Sequence, residues 1–331
     1  MAFPNGNGKV KSINKIYVII PAAGKSERMG GETPKILMEV DGVPVIIRTL
    51  QAFQRLSVEL SQAGITLKAI VVTGDSLIFK IQSLIRKYNI NCVSNIVNGG
   101  ISRTESVCKG LEALEDMPFP PNDDDVVFIH DGARCMVDDD TLIRCVEAAN
   151  KFDICAAAVP VKSTIKVTEP IAEIKSLMDR MKPSEPAPAA PAEPDHSYDD
   201  LPETSALRPG VYSPFKPYDA SKEEKGPLRG FNSSAATKPG IGGAFSKTSY
   251  PEVKSTPKRD ELMEVQTPQV FRYGKLLKCY EYAITNDVEA PDDTSLAEAL
   301  HMDVHLVEGS YSNIKITTPE DIRIAESFLR K

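Results

Sequence analysis

Residues 15–20 read KIYVII, an apolar and β-branched run that ends at Pro21. Such a run is typical of a buried strand in a parallel sheet that is covered on both faces. Similar runs follow at 69–73 (AIVVT), 126–130 (VVFIH) and 154–159 (ICAAAV), and segments with apolar residues at helical spacing lie between them. The alternation predicts an α/β fold with a mostly parallel, Rossmann-like sheet and helices on both faces.

The C-terminal part of the chain repeats this pattern. In the N-terminal part, the helices are predicted at 45–60, 78–88, 105–114 and 141–151. In the C-terminal part, helices are predicted at 273–283, from about 293, and after Thr318, which precedes Pro319 as a helix N-cap. Strands are predicted at 264–271, 304–307 and 313–316. The C-terminal elements need the N-terminal sheet as a packing partner. We therefore expect one domain at 15–331, preceded by a flexible tail at 1–14.

A proline-rich segment interrupts this domain. Of the 25 prolines, 14 lie between Pro170 and Pro257, and residues 182–194 read KPSEPAPAAPAEP. Such a composition offers too few apolar side chains to offset the conformational entropy of ordering. The sequence therefore predicts a largely disordered or extended insert at about 171–255.

Composition excludes several classes of function. A formal net charge of −7 argues against a nucleic-acid-binding protein. The chain has no apolar run of transmembrane length and begins with a polar segment, so neither a membrane span nor a secretory signal is expected, and a cytoplasmic location is predicted. The six cysteines form no CxxC pair and the four histidines have no HxxxH or HxH spacing, so no zinc site is expected.

The loop after the first predicted strand is the strongest candidate for chemistry. Residues 21–31 read PAAGKSERMGG, and Thr33-Pro34-Lys35 follow. Small residues let the backbone approach an anion closely, and Arg28 and Lys35 add two cations to the same loop. The loop matches neither the GxxxxGK[ST] nor the GxGxxG pattern. It predicts a polyphosphate site, although a glycine-rich turn with two solvated cations is the alternative.

Seven short motifs, taken in order, resemble those of cytidylyltransferases that act on polyol phosphates. They are PAAGxxxRM with PK (21–35), GGxxRxxSV (99–107), HDGAR (130–134), TIK (164–166), Arg259 with QTPQ (266–269), Asp292-Asp293 and NIKIT (313–317). The chain is most similar to the 2-C-methyl-D-erythritol 4-phosphate cytidylyltransferases of the non-mevalonate isoprenoid pathway. The resemblance runs from 16 to 329 and leaves out only the proline-rich insert.

The resemblance implies transfer of a cytidylyl group from CTP to methylerythritol phosphate, giving CDP-methylerythritol and pyrophosphate without a covalent enzyme intermediate. Arg28 and Lys35 match residues that stabilise the transition state, and Arg259 and Lys315 match residues that hold the acceptor phosphate. The positions that match nucleotide-binding residues are Ala22, Ala23, Gly24, Gly100, Ser106 and Asp131. The positions that match acceptor-binding residues are Thr164, Thr267 and Arg134. Mg²⁺ is the implied cofactor, held largely by phosphates.

Two of these roles have alternatives. Asp131 follows a predicted strand, where a carboxylate meets Mg²⁺, ribose or an acceptor hydroxyl, or serves only a turn. Arg134 contacts the substrate or pairs with Asp138 or Asp139.

The resemblance also implies a homodimer. In the family, the chain between Thr164 and Arg259 forms a β-arm that crosses to a second subunit and completes its site. The insert would lie at the tip of this arm, where insertions break few buried hydrogen bonds. Arg259 would then act in the neighbouring subunit. The alternative is a monomer in which the long insert prevents arm exchange.

Three departures from the family pattern keep other functions open. Ser26 replaces a usual glycine, Ile36 a usual glutamine and Pro291 a common threonine. A ribitol 5-phosphate cytidylyltransferase and an enzyme that uses another triphosphate are therefore alternatives. A catalytically silent nucleotide-binding or interaction protein is an alternative of a different class. Such a protein would not need the four cations that match catalytic residues, which are Arg28, Lys35, Arg259 and Lys315.

Overall fold

A computed structural model describes residues 13–24, 33–168 and 252–330. These belong to two compact units, one formed by Met1–Ser163 with Lys258–Lys331 and the other by Thr164–Pro257. Most of the predicted tail and insert, together with Ser26 and Arg28, lies outside the described residues.

A seven-stranded sheet forms the centre of the first unit. Its strands lie side by side in the order β11 (His305–Glu308), β7 (Ile154–Pro160), β10 (Met263–Arg272), β6 (Val126–Ile129), β1 (Lys15–Pro21), β4 (Thr66–Thr73) and β5 (Val93–Asn98). All neighbouring pairs are parallel except the two that contain β10. The predicted mostly parallel sheet is confirmed.

Helices cover both faces of this sheet, as predicted. They are α1 (Val45–Gln62), α2 (Ile78–Lys87), α3 (Arg103–Glu115), α4 (Asp139–Ala149), α5 (Tyr273–Thr285) and α6 (Asp293–Ala299). The last helix, α7 (Pro319–Leu329), packs in a separate small cluster with Ala133 and Ile316. Alternate residues of β1 point to opposite faces, so Ile16 and Val18 join a core with α1, α2 and α4. Tyr17 and Ile19 join a second core with α3, α5 and α6. Burial on both sides explains why β1 is apolar throughout.

Short side-chain caps set where several helices begin. The side chains of Ser102, Asp138 and Asp292 accept backbone N–H bonds at the starts of α3, α4 and α6. The predicted cap at Thr318 is confirmed, and it forms a capping box with Asp321 at the start of α7.

Residues 313–316, predicted as a strand, form none. The N–H groups of Asn313 and Ile314 donate to Ser310 and Ser312, and only Ile316 bonds across to Ala133. The alternating pattern instead reflects Ile314 and Ile316, which pack in a small cluster with α7. Two features had no strand prediction: β5 at the sheet edge and the small hairpin of β2 (Glu39–Val40) and β3 (Val43–Pro44).

The described part of the second unit is a short antiparallel pair. Strands β8 (Val167–Thr168) and β9 (Val253–Ser255) pair with each other, and both are exposed. Lys166 Nζ donates to Thr256 Oγ1 over 2.7 Å next to this pair. Within the described ranges, none of the helices combines the length and apolar character needed to cross a membrane.

Candidate active site

The order of the strands places a site at one edge of the sheet. β1 pairs with β4 on one side and with β6 on the other. The chain first passes from β1 to β4 and later crosses to β6 on the opposite side of β1. Ligands bind beyond the carboxyl ends of parallel strands where the winding direction reverses in this way. A cavity of about 520 Å³ lies there, lined by residues that follow β1, β4, β5 and β6.

Eight of the predicted site residues line this cavity. They are Ala22, Ala23, Gly24, Lys35, Gly100, Ser106, Asp131 and Lys315. Lys35 opens a single helical turn, Lys35–Leu37, that is anchored by the buried side chains of Ile36 and Leu37. Ile36, one of the departures from the family pattern, lies in the cavity wall and packs into the core, so its side chain is accommodated without strain.

The Gly99-Gly100 loop is packed too closely for larger residues. A Cβ atom on Gly99 would lie 2.6 Å from the Cβ of Ala23, and one on Gly100 would lie 2.2 Å from Cγ of Glu105. The first turn of α3 also holds the loop, because Ser106 Oγ accepts the Gly100 N–H over 3.2 Å and the Glu105 carboxylate accepts the Ile101 N–H over 2.7 Å. The two glycines therefore leave room for the side chains of Ala23 and Glu105 to pack directly against this loop at the cavity wall.

We expect Gly100→Ala to raise the KM for CTP about tenfold, because the new Cβ displaces Glu105 and releases the loop it holds. Gly74→Ala is the matched control, since Gly74 also lines the cavity and a Cβ there would meet nothing within 4 Å. Steady-state kinetics with varied CTP measure the effect. Equal KM values for the two variants would contradict this account of the loop.

Asp131 lies among three cations. Its carboxylate is 2.8 Å from Lys315 Nζ, 3.5 Å from Arg134 Nε and 3.8 Å from Arg103 Nε. Burial alone would raise the pKa of Asp131, but the charges of Lys315 and Arg103 outweigh it and hold that pKa well below its usual range. Asp131 is therefore ionised at neutral pH, and the cations around it outnumber its own charge. The cavity is locally suited to an anion although the chain carries a net charge of −7.

A buried histidine fixes the backbone at Asp131. His130 is fully buried, and burial lowers its pKa to about 4, so the ring is neutral at neutral pH. Its Nε2 lies 3.1 Å from the Arg134 carbonyl oxygen, which can only accept, so Nε2 carries the proton. His130 Nδ1 then accepts from the Thr267 hydroxyl over 3.1 Å, and Thr267 Oγ1 in turn accepts the Asp131 N–H over 3.1 Å. Thr267 is thus committed to the loop that carries Asp131, and its predicted contact with the acceptor stays a prediction.

Arg134 is held next to Asp131 by the C-terminal segment. Its Nη1 donates to the Asn313 carbonyl oxygen over 2.8 Å, and the Asn313 amide donates to the Thr267 carbonyl oxygen over 2.8 Å. The alternative that Arg134 pairs with Asp138 or Asp139 is wrong. Asp138 caps α4 and Asp139 pairs with Arg55.

Among the remaining predicted residues that the structure describes, Arg259 does not line the cavity. Arg259 begins an exposed helical turn, Arg259–Glu261, in the first unit, and Thr164 is an exposed residue of the second unit. Pro291 is exposed as well. Arg28 lies outside the described residues.

One ion pair at the cavity had no assigned role. Arg103 and Asp293 belong to two of the seven motifs, but they lie 190 positions apart and nothing in the sequence indicates that they pair. The guanidinium of Arg103 binds both carboxylate oxygens of Asp293, at 2.7 and 2.6 Å. Tyr280, which belongs to none of the motifs, donates its hydroxyl proton to Asp293.

The described residues at the cavity suit a metal ion that binds together with the phosphates of a nucleotide. In residues 13–24, 33–168 and 252–330, no group of three or more His, Cys, Asp or Glu side chains could hold a metal ion. Mg²⁺ normally takes one or two protein carboxylates and completes its shell with phosphate and water. Asp131 can supply one such carboxylate at the cavity wall, and the cations that surround it favour the phosphates.

The sheet, its cavity and the cations around Asp131 are compatible with a nucleotidyltransferase. The chain belongs to the IspD, or 2-C-methyl-D-erythritol 4-phosphate cytidylyltransferase, family, whose model matches residues 16–183 and 246–331. The family predicted from the seven motifs is confirmed.

Individual relatives agree with this assignment over nearly the whole chain. A 2-C-methyl-D-erythritol 4-phosphate cytidylyltransferase of Alkaliphilus oremlandii is 30% identical, across 97% of this chain and 98% of that protein. One of Clostridium novyi is also 30% identical, across 96% of this chain and 97% of that protein.

Solved structures support the fold. A 4-diphosphocytidyl-2C-methyl-D-erythritol synthase from Anaerococcus prevotii matches with a TM-score of 0.61 at 23% identity, covering 96% of this chain and 97% of that one. A 2-C-methyl-D-erythritol 4-phosphate cytidylyltransferase from Thermus thermophilus matches with a TM-score of 0.54 at 22% identity, covering 96% and 100%.

Proposed function

We propose that this protein transfers the cytidylyl group of CTP to 2-C-methyl-D-erythritol 4-phosphate. One observation carries the proposal: Lys35, Lys315 and Asp131 line the same cavity as the glycine-rich backbone at 22–24 and 99–100. A backbone-lined pocket suits a nucleotide, and cations beside it suit the phosphates of donor and acceptor.

The reaction is an in-line exchange at the α-phosphorus of CTP. A phosphate oxygen of the acceptor forms a bond to this phosphorus while the bond to the pyrophosphate oxygen breaks, and pyrophosphate leaves. No enzyme group needs to form a covalent bond, so catalysis consists of positioning and charge stabilisation. Lys35, together with Arg28, would balance the charge that develops at the α-phosphate. Lys315, together with Arg259, would hold the acceptor phosphate.

We assign the remaining predicted residues to binding. The backbone of Ala22, Ala23, Gly24 and Gly100, with Ser106, would bind the nucleotide. Thr164, Thr267 and Arg134 would contact the acceptor.

Mg²⁺ is the proposed cofactor. It would be held by the triphosphate and by one carboxylate oxygen of Asp131, and when bound it would neutralise phosphate charge. The cytoplasm, where CTP and Mg²⁺ are both available, is the compartment that we propose for this reaction.

The competing acceptor is ribitol 5-phosphate, because Pro291 and Ile36 depart from the family pattern and weaken the assignment to one polyol. Proline cannot provide the hydroxyl of the threonine that is common at position 291 in the family, so a contact of that hydroxyl with methylerythritol phosphate would be missing here. A catalytically silent protein is the alternative of another class, and the clustering of Lys315, Arg134 and Arg103 at Asp131 argues against it.

Pyrophosphate release from purified protein separates these functions. We expect release with CTP, Mg²⁺ and methylerythritol phosphate, at a kcat/KM well above that for ribitol 5-phosphate, and little release when UTP, ATP or GTP replaces CTP. A preference for ribitol 5-phosphate would reassign the acceptor. CTP binding without turnover on either acceptor would contradict the proposed function.

We further propose that the protein is a homodimer in which Arg259 acts in the neighbouring site. Arg259 is exposed and does not line the described part of its own cavity, which is compatible with a role in a second subunit. The antiparallel pair β8–β9 lies within the proposed arm, between Thr164 and Arg259.

Mixing two inactive variants tests this arrangement. Lys35→Ala and Arg259→Ala, co-refolded or co-expressed in equal amounts, should recover about one quarter of wild-type activity, because half of the dimers are mixed and each has one intact site. Two copies of the same variant, mixed in the same way, are the control. A mixture that stays inactive although size-exclusion chromatography shows mixed dimers would place Arg259 in its own subunit's site.

A further inference from the structure

A buried polar cluster connects α5 and α6 with the cavity. It consists of Tyr280, Asp293 and Arg103, with Asp293 at its centre. The side chain of Asp293 is 0% exposed, whereas that of Arg103 is 26% exposed and lines the cavity. The cluster therefore begins in the core and ends at the site.

Asp293 is held through its carboxylate by two side chains and through its backbone by a third. Tyr280, a buried residue of α5, donates its hydroxyl proton to Oδ1 of Asp293. Gln269 of β10 accepts the backbone N–H groups of Asp293 and Thr294 over 2.8 and 3.1 Å, which fixes the start of α6. Arg103 binds both carboxylate oxygens. Asp293 thus has little freedom to move.

This arrangement determines which edge of Arg103 faces the site. Both terminal nitrogens are bound to Asp293, so the Nε edge remains for Asp131, whose Oδ1 lies 3.8 Å away. A guanidinium is planar and rigid, so fixing its fork also fixes the position of Nε. Burial would lower the pKa of Arg103, but the Asp293 carboxylate outweighs it and raises that pKa, which keeps the charge in place.

Stability alone gives little reason for such a cluster. The desolvation of a buried ion pair offsets most of its attraction, and apolar side chains of similar volume are often as stable. A fixed cation beside Asp131, in contrast, has a direct use. Asp131 also contacts Lys315, so a shift of its carboxylate would move the lysine that is assigned to the acceptor phosphate.

We propose that Tyr280 and Asp293 are positioning residues for the transfer reaction, holding Arg103 so that it fixes the Asp131 carboxylate against Lys315. This inference rests on the proposed function, because it assigns a role within the same site. Neither residue needs to touch CTP or the acceptor. Their effect reaches the reacting groups through Arg103 and Asp131.

Tyr280→Phe is the test, because it removes one hydroxyl and keeps the ring. We expect kcat to fall about tenfold while the KM for CTP changes less than about twofold, as for a lost hydrogen bond to a charged group that orients the site. Tyr273→Phe is the matched control. Tyr273 is a buried tyrosine on the same helix whose hydroxyl donates to Glu115 over 3.2 Å, outside the cavity lining, so its kcat should be unchanged.

A double-substitution cycle separates positioning from a structural role. In an Asp131→Asn background, Tyr280→Phe should lower kcat less than about twofold further, because the group that it positions is already lost. Arg103→Lys, at a partly exposed position, is the second variant: one ammonium cannot bind both Asp293 oxygens and also face Asp131. Arg103→Lys should show the same loss of kcat, and this loss should also be smaller in the Asp131→Asn background.

The outcomes are distinct. A folded Tyr280→Phe enzyme with wild-type kcat, or a loss that is fully additive with Asp131→Asn, would overturn the inference while leaving the proposed function intact. If Tyr280→Phe does not fold, a wild-type kcat for Arg103→Lys, or a loss that is fully additive with Asp131→Asn, would overturn the inference. Wild-type protein without turnover would instead contradict the proposed function, and this inference with it.

Discussion

Lys35→Ala is expected to lower kcat by at least about 10²-fold, as is typical when a group that stabilises transition-state charge is removed. Lys35 lines the cavity on a helical turn whose neighbours Ile36 and Leu37 are buried. The substitution therefore removes the ammonium without removing the anchor of the turn, and the protein should remain folded. The KM for CTP should change much less than kcat, because the backbone at 22–24 and 100 would still bind the nucleotide.

Lys109→Ala is the matched control for this lysine. Lys109 lies on α3, pairs with Glu112 over 3.0 Å and does not line the cavity. Rapid-quench measurement of the first turnover separates the chemical step from product release. A wild-type rate for Lys35→Ala would remove Lys35 from its assigned role.

Lys315→Met is expected to lower kcat/KM for the acceptor by about 10²-fold or more, since it removes both the charge that is proposed to hold the acceptor phosphate and the nearest cation to Asp131. Methionine keeps a similar length and flexibility, so the loss reports the charge. The KM for CTP should change little, which distinguishes Lys315 from residues that bind the nucleotide.

Lys315→Arg is the conservative partner of this variant. It keeps a cation within reach of Asp131 and should retain more activity than Lys315→Met, although the geometry of a guanidinium differs from that of an ammonium. Kinetics with varied acceptor at saturating CTP measure both variants. Equal losses of affinity for CTP and acceptor would contradict the division of roles between Lys35 and Lys315.

Much of the fold was predictable because its central strands are buried on both faces. Such strands must be apolar along their whole length, and β1, β4, β6 and β7 are therefore visible as short apolar runs. β5 was not visible, since it lies at the sheet edge and reads VSNIVN with several exposed residues. The strand prediction at 313–316 was wrong for a different reason. An alternating pattern arose there from packing against α7 without any strand pairing.

Eight of the predicted site residues line one cavity, but the hydrogen bonds and ion pairs around them were not predictable. Residues that follow parallel strands meet at one edge of a sheet, which is why the loops after β1 and β6 line the same cavity. The pairing of Arg103 with Asp293 joins residues 190 positions apart, and Tyr280 carries no motif that would single it out. Likewise, the hydroxyl of Thr267 is used by His130 and the Asp131 N–H, which only the folded arrangement reveals.

Phosphorus NMR of one reaction mixture tests the central claim most directly. Protein incubated with CTP, Mg²⁺ and 2-C-methyl-D-erythritol 4-phosphate should convert both substrates into equal amounts of pyrophosphate and a diphosphate diester, identified by mass spectrometry as CDP-methylerythritol. Pyrophosphate accompanied by CMP, or unchanged CTP and acceptor under conditions where the protein is folded and binds CTP, would contradict cytidylyl transfer at this site.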